Sequence, residues 1–197
     1  MRYPTIAASA IALAACATAQ TAPADEAQSA VQAEPDTTPA PPPVPARAPM
    51  PCDGTAYHAF DFWIGEWDVY DKKGNLGGTN SIQPAESGCL LIEHWVNTAG
   101  GTGQSYNFYD PATGKWRQLW VSAGSVIDYS GGLTKSGSMF LEGEIHYRPN
   151  GNAAPFTGEW TLNDDGSVTQ HFRQQDPETG EWSDWFVGRY VRQKEEG

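Results

Sequence analysis

The 197-residue chain is poor in positive charge: 12 Lys and Arg stand against 24 Asp and Glu, a formal net charge of -12. A phosphate backbone is held by clustered Lys and Arg, so nucleic acid is excluded as a partner. The signatures of common catalytic and cofactor sites are also missing. There is no Cys-x-x-Cys, no His-Glu-x-x-His, no Gly-x-Ser-x-Gly, and neither the Walker nor the dinucleotide glycine pattern. His58, His94, His146 and His171 are scattered, with no two at an i, i+2 ligand spacing, so no metal site is expected and no cofactor is implied. Asn163-Asp164-Asp165-Gly166 lacks the further spaced acids of a calcium loop and reads as a hairpin turn. A charged fraction of 18% with 12% aromatics excludes a coiled coil or a wholly disordered chain.

Other absences are local. No glycine precedes Gly54 and no tryptophan precedes Trp63, whereas ten of the 15 prolines lie at or before Pro51. Two unlike polymers therefore meet near residue 52. Met1-Arg2-Tyr3-Pro4 carries one positive charge, and Thr5 to Ala15 is uncharged and mostly apolar. Eleven residues rise only about 16 Å as a helix, half a bilayer, which fits a signal segment and not a membrane span. The segment ends Leu13-Ala14-Ala15-Cys16 and resembles the lipobox of bacterial lipoproteins. That resemblance implies a signal peptide over 1–15, a lipid on Cys16, and a bacterial envelope address. With Ala17 rather than Asp after the Cys, it implies an outer-membrane lipoprotein whose domain stands in the periplasm. An ordinary secretory leader cut after Ala17-Thr18-Ala19 is the competing reading. Residues 16–51 then form a lipid-anchored Pro/Ala-rich tether, without an aromatic residue to bury and with a polyproline stretch at Pro39–Pro45.

Three cysteines make an odd set. With Cys16 taken by lipid, Cys52 and Cys89 remain as an even pair in an oxidising compartment, where a bridge is expected and free buried thiols are the alternative.

Beyond Gly54 no sustained 3.6-residue apolar period is found, and only Thr55 to Trp63 has room for a helical turn. Ten runs rich in β-branched and aromatic residues alternate with turn signals such as Lys73-Gly74-Asn75 and Asn150-Gly151-Asn152. They span 66–72, 76–84, 89–96, 103–110, 115–122, 126–130, 138–148, 155–162, 167–175 and 182–192. Asp110-Pro111-Ala112-Thr113-Gly114 and Asp176-Pro177-Glu178-Thr179-Gly180 repeat one hairpin loop. Links this short exclude crossover helices, so residues 52–197 are expected to form an all-β, antiparallel up-and-down barrel of about ten strands, with a two-sheet sandwich as the alternative.

Phe60-Asp61-Phe62-Trp63-Ile64-Gly65-Glu66-Trp67 holds the Gly-x-Trp that opens the first strand of lipocalins and other calycins. Together with Gly88-Cys89-x-Leu91-x-Glu93-x-Trp95, Ser105-x-Asn107-x-Tyr109-Asp110 and Trp116-x-Gln118-x-Trp120-Val121, residues 58–192 resemble a bacterial family of lipocalin-like domains of unknown function. The resemblance implies a calycin-like barrel with a cavity, and an Arg from the last strand packed across Trp67, with Arg189 and Arg192 both in reach. It implies no reaction.

Alternation along the strands sorts the faces. Glu93 with Trp95, Ser105 with Asn107 and Tyr109, and Trp116 with Gln118 and Trp120 form rows that mix aromatic and uncharged polar groups, as a ligand pocket does. On later strands Phe156, Trp160 and Leu162 form one row, and Trp185, Val187, Arg189 and Val191 another. Met139, Leu141, Ile145 and Tyr147 point inward, while Glu142, Glu144 and His146 face solvent. The candidate cavity residues are thus Glu93, Trp95, Ser105, Asn107, Tyr109, Gln118, Trp120, Trp160 and Arg173, the last as a partner for Glu93. The leading expectation is a lipid-anchored envelope protein whose barrel binds a small, partly apolar ligand. The rivals are an enzyme acting inside the cup through Glu93, Tyr109 or Arg173, and an envelope scaffold with a filled barrel.

Overall fold

The computed structural model describes residues 52–194; the signal peptide expected over 1–15, the lipid site expected at Cys16 and the tether expected over 16–51 lie outside them. The ten expected strands all form: β1 Gly65–Tyr70, β2 Leu76–Ala85, β3 Leu90–Asn97, β4 Thr102–Asp110, β5 Lys115–Ser122, β6 Ser125–Leu133, β7 Met139–Tyr147, β8 Ala153–Leu162, β9 Val168–Gln175 and β10 Trp182–Arg192. Each pairs antiparallel with its neighbours in sequence, and β10 closes on β1. The domain is a closed antiparallel up-and-down barrel, consistent with a calycin-like fold. Closure removes every free sheet edge, which a meander of this length must otherwise protect.

β6 runs longer than the sequence pattern predicts. The expected run covers 126–130, whereas Gly131 and Gly132 continue the ladder by pairing with Leu141 and Phe140 of β7. The repeated loops behave as turn chemistry requires: Asp110 Oδ1 accepts from the Ala112 N–H at 2.9 Å, and Asp176 Oδ1 from the Glu178 and Thr179 N–H groups at 2.8 and 3.0 Å.

One end of the barrel is capped by two short 3₁₀ turns, Thr55–His58 and Asp61–Trp63. Phe60 stacks on Trp63 at 4.9 Å and meets Trp116 and Trp160 edge-on at 5.7 and 5.2 Å. Trp116 Nε1 donates to the Ala56 carbonyl at 2.9 Å, and Trp67 Nε1 to that of Trp63 at 2.9 Å. A disulfide joins Cys52, just before the cap, to Cys89, immediately before β3.

Trp67 also settles which arginine crosses it. The Arg192 guanidinium lies 4.3 Å from the Trp67 ring centroid, and its Nη1 donates to the Ile64 carbonyl at 3.0 Å. Gly65, at φ 141°, permits this: a Cβ there would stand 2.4 Å from Arg192 Nη1. Arg189 points outward and pairs with Asp165.

Candidate functional site

The half of the barrel away from the cap holds a cavity of about 210 Å³. Trp95, Trp120, Phe172, Trp185 and Phe186 form its aromatic wall, and Glu93, Gln118, Gln170, Tyr129 and Tyr190 its polar lining. The polar set is buried, whereas Trp185 is 47% exposed, so the polar floor lies inside an aromatic mouth. Two local features shape that mouth. A register shift between Asp184 and Phe186 lets the adjacent residues Trp185 and Phe186 both reach the cavity, which regular alternation forbids. Gly103, opposite Ser122, leaves room for the Trp120 ring, since a Cβ at 103 would lie 2.2 Å from Trp120 Cζ2.

The floor is one continuous hydrogen-bond network. Asn80 Nδ2 donates to Glu93 Oε1 at 2.7 Å, and Ser105 Oγ to Glu93 Oε2 at 2.5 Å. Asn107 Nδ2 donates to Ser105 Oγ at 2.8 Å and to the Leu91 carbonyl at 3.2 Å; Gln118 Nε2 donates to Asn107 Oδ1, and the Tyr129 hydroxyl to Gln118 Oε1. On the other side Asn80 Nδ2 reaches the Tyr190 hydroxyl at 3.2 Å, and that hydroxyl donates to Gln170 Oε1 at 2.9 Å. The first arm runs donor to acceptor from Tyr129 through Gln118, Asn107 and Ser105, and ends on Glu93.

Glu93 is 3% exposed and forms no ion pair among the described residues. Burial raises its pKa to about 7, against the lowering effect of the bonds from Ser105 and Asn80. Burial, and then the charge of Glu93, hold the Tyr129 and Tyr190 hydroxyls well above the usual phenol range, so both remain protonated donors. Among the described residues no Lys, Arg or His lines the cavity, and no group of His, Cys, Asp and Glu could hold a metal ion.

The structure brings Glu93, Trp95, Gln118 and Trp120 together on the cavity, with Ser105 and Asn107 buried behind them in the network. Three other candidates stand elsewhere. Tyr109 packs edge-on against Tyr57 of the cap at 5.1 Å. Trp160 lies in the filled cluster beneath the cavity, 5.5 Å from Trp63. Arg173 lies on the outer face, 5.9 Å from the Trp182 ring, because its neighbour Phe172 takes the inward position. Of the acid–base candidates Glu93, Tyr109 and Arg173, Glu93 lines the cavity and the other two stand away from it. The row Trp185, Val187, Arg189, Val191 breaks at the register shift, after which Phe186, Gly188 and Tyr190 turn inward. Leu162, placed in a row with Trp160, is 50% exposed at the end of β8.

Sequence reasoning missed Tyr129, Gln170, Phe172, Phe186 and Tyr190. Asp128-Tyr129-Ser130 and Arg189-Tyr190 do carry the polar–aromatic alternation that would have found two of them. Gln170 gives no such signal, since His171 beside it is equally polar.

Comparison with protein-family models and with curated proteins gave no match. The reading of function therefore rests on the barrel and its cavity.

Proposed function

We propose that this barrel binds a small, mostly apolar molecule behind the mouth formed by Trp95, Trp120 and Trp185. The observation that carries this reading is the cavity itself: about 210 Å³ of aromatic-walled space with a buried polar network on its floor, in which Asn80 Oδ1 is left without a partner. A core built only for stability is filled to crystal-like density, and it gains nothing from a buried carboxylate. The volume also bounds the ligand. A dry cavity of about 150 Å³ takes benzene, whereas drug-sized ligands occupy about 300–1,000 Å³. A compact body of one or two rings fits. The raised pKa of Glu93 is what a proton-transfer site would show, but the cavity supplies no cationic acid or electrophile beside it, which favours binding over turnover.

In this proposal the domain belongs to a lipocalin-like lipoprotein, held by Cys16 at the outer membrane through the tether of residues 16–51. Replacement Cys16→Ser is expected to abolish lipid labelling and to release the protein from the membrane fraction.

Native mass spectrometry of the full-length protein from its own cells is expected to show a bound small molecule at up to one per chain. Ile127→Phe, which pushes a ring into the cavity from a buried wall position, is expected to remove that species while costing about 1–3 kcal/mol of stability. Unliganded wild-type protein, or a bound species unaffected by Ile127→Phe, would count against the cavity as the site.

A further inference from the structure

We infer that the ligand of this cavity is a monocation, a compact apolar body ending in an ammonium or similar group that meets the Glu93 carboxylate. This deepens the binding reading above and rests on it. The geometry is one-sided. Glu93 lines the cavity and accepts from Asn80 and Ser105, one bond on each oxygen. A carboxylate offers about four lone-pair sites, so two stay open, and among the described residues no protein cation fills them. A ligand ammonium supplies both the missing donors and the missing charge. A ligand anion would face the carboxylate in a low-dielectric space, where like charges repel strongly.

The walls point the same way. Trp95, Trp120, Trp185 and Phe172 present aromatic rings around the space above Glu93, and ring faces attract cations. One carboxyl and no other acid among the lining residues fits a single positive charge. The surrounding domain adds to this. Four acids and two bases precede Cys52, so the remainder holds 20 acids against 10 bases, a field that gathers cations.

The groups facing Glu93 from the packed strands are Asn80 on β2, Ser105 on β4, Gln118 on β5, Tyr129 on β6, Gln170 on β9 and Tyr190 on β10. Of these only the two tyrosines titrate, and both do so far above neutrality. His94 and His171, the histidines on β3 and β9, lie on the outer face. Cation binding is therefore expected to follow the ionisation of Glu93 alone.

The test compares three probes of one shape on the full-length protein by calorimetry: 2-phenylethylamine, 2-phenylethanol and phenylacetate. At about pH 8 the amine is expected to bind about tenfold or more tightly than the alcohol, and phenylacetate more weakly than either. The isosteric Glu93→Gln variant, checked for wild-type circular dichroism, is expected to keep alcohol binding and lose the preference for the amine. Wild-type protein gives an independent reading. Below about pH 7 amine affinity is expected to fall, by at most tenfold per unit, while alcohol affinity holds. Equal or tighter binding of the alcohol or the acid, a preference that survives Glu93→Gln, or a flat amine profile would overturn the cation assignment and leave the cavity reading standing. Absence of binding by all three probes would count against both.

Discussion

At the scale of single residues, Glu93 dominates because it is the only acid sealed inside the barrel's polar floor. Its carboxyl titrates near 7 in the folded chain and near its ordinary 4.5 when unfolded. Between those values the folded state holds a proton that the unfolded state has released, so stability falls as pH rises across that window. The full drop is about 3 kcal/mol and is complete above about pH 7. Asp128, Asp165 and Asp184 titrate below the usual carboxylate range, so their opposite contribution is lost only as pH falls under about 4. Thermal unfolding between pH 5 and 8 should thus show a decline in wild type that Glu93→Gln removes. An equal decline in both proteins would show that Glu93 is not the group responsible. Gly65 makes a second prediction at this scale. Gly65→Ala puts a side chain on a backbone at φ 141° and displaces the Arg192 guanidinium, and is expected to cost about 2 kcal/mol in urea unfolding, with altered Trp67 fluorescence. Glu93 was legible from its row with Trp95. Its lack of a counter-charge was not, because Arg173 in the sequence looks like a ready partner and only the parity of β9 sends it outward.

At the scale of elements, nine of the ten strands follow closely from turn residues and alternation, since each hairpin is a local unit. The failures have local causes too. Glycine has no side chain to mark a strand, so the extension of β6 through Gly131 and Gly132 leaves no sign in the sequence. The register shift in β10 reverses every later side chain, which moved Arg189 outside and Tyr190 inside. The Cys52–Cys89 bridge ties the aromatic cap to β3 across 37 residues. On the chain-entropy account it contributes about 3–4 kcal/mol. Reduction, or the double replacement Cys52→Ala/Cys89→Ala, should lower the urea midpoint by a corresponding amount. An unchanged midpoint would mean that the cap docks without its covalent tie.

At the scale of the whole molecule, the barrel divides into a packed lower half and an open upper half. Phe60, Trp63, Trp67, Trp116 and Trp160 fill the first; the second keeps about 210 Å³ behind its tryptophans. The poverty in basic groups takes on a further meaning here. It leaves an acidic domain in which, among the described residues, the enclosed carboxylate of Glu93 has no protein cation to neutralise it. The division into halves was not legible in sequence, because rows of inward aromatics look alike whether they pack on one another or stand around a space. Phe60 and Trp63, from the cap, decide that.

The most direct test is heteronuclear NMR of the indole N–H signals during titration with 2-phenylethylamine. Saturable shifts at Trp95, Trp120 and Trp185, with Trp182 on the outer face and Trp67 beneath the cap unmoved, are the predicted result. Shifts confined to Trp182, or none at any tryptophan, would contradict the cavity as the binding site.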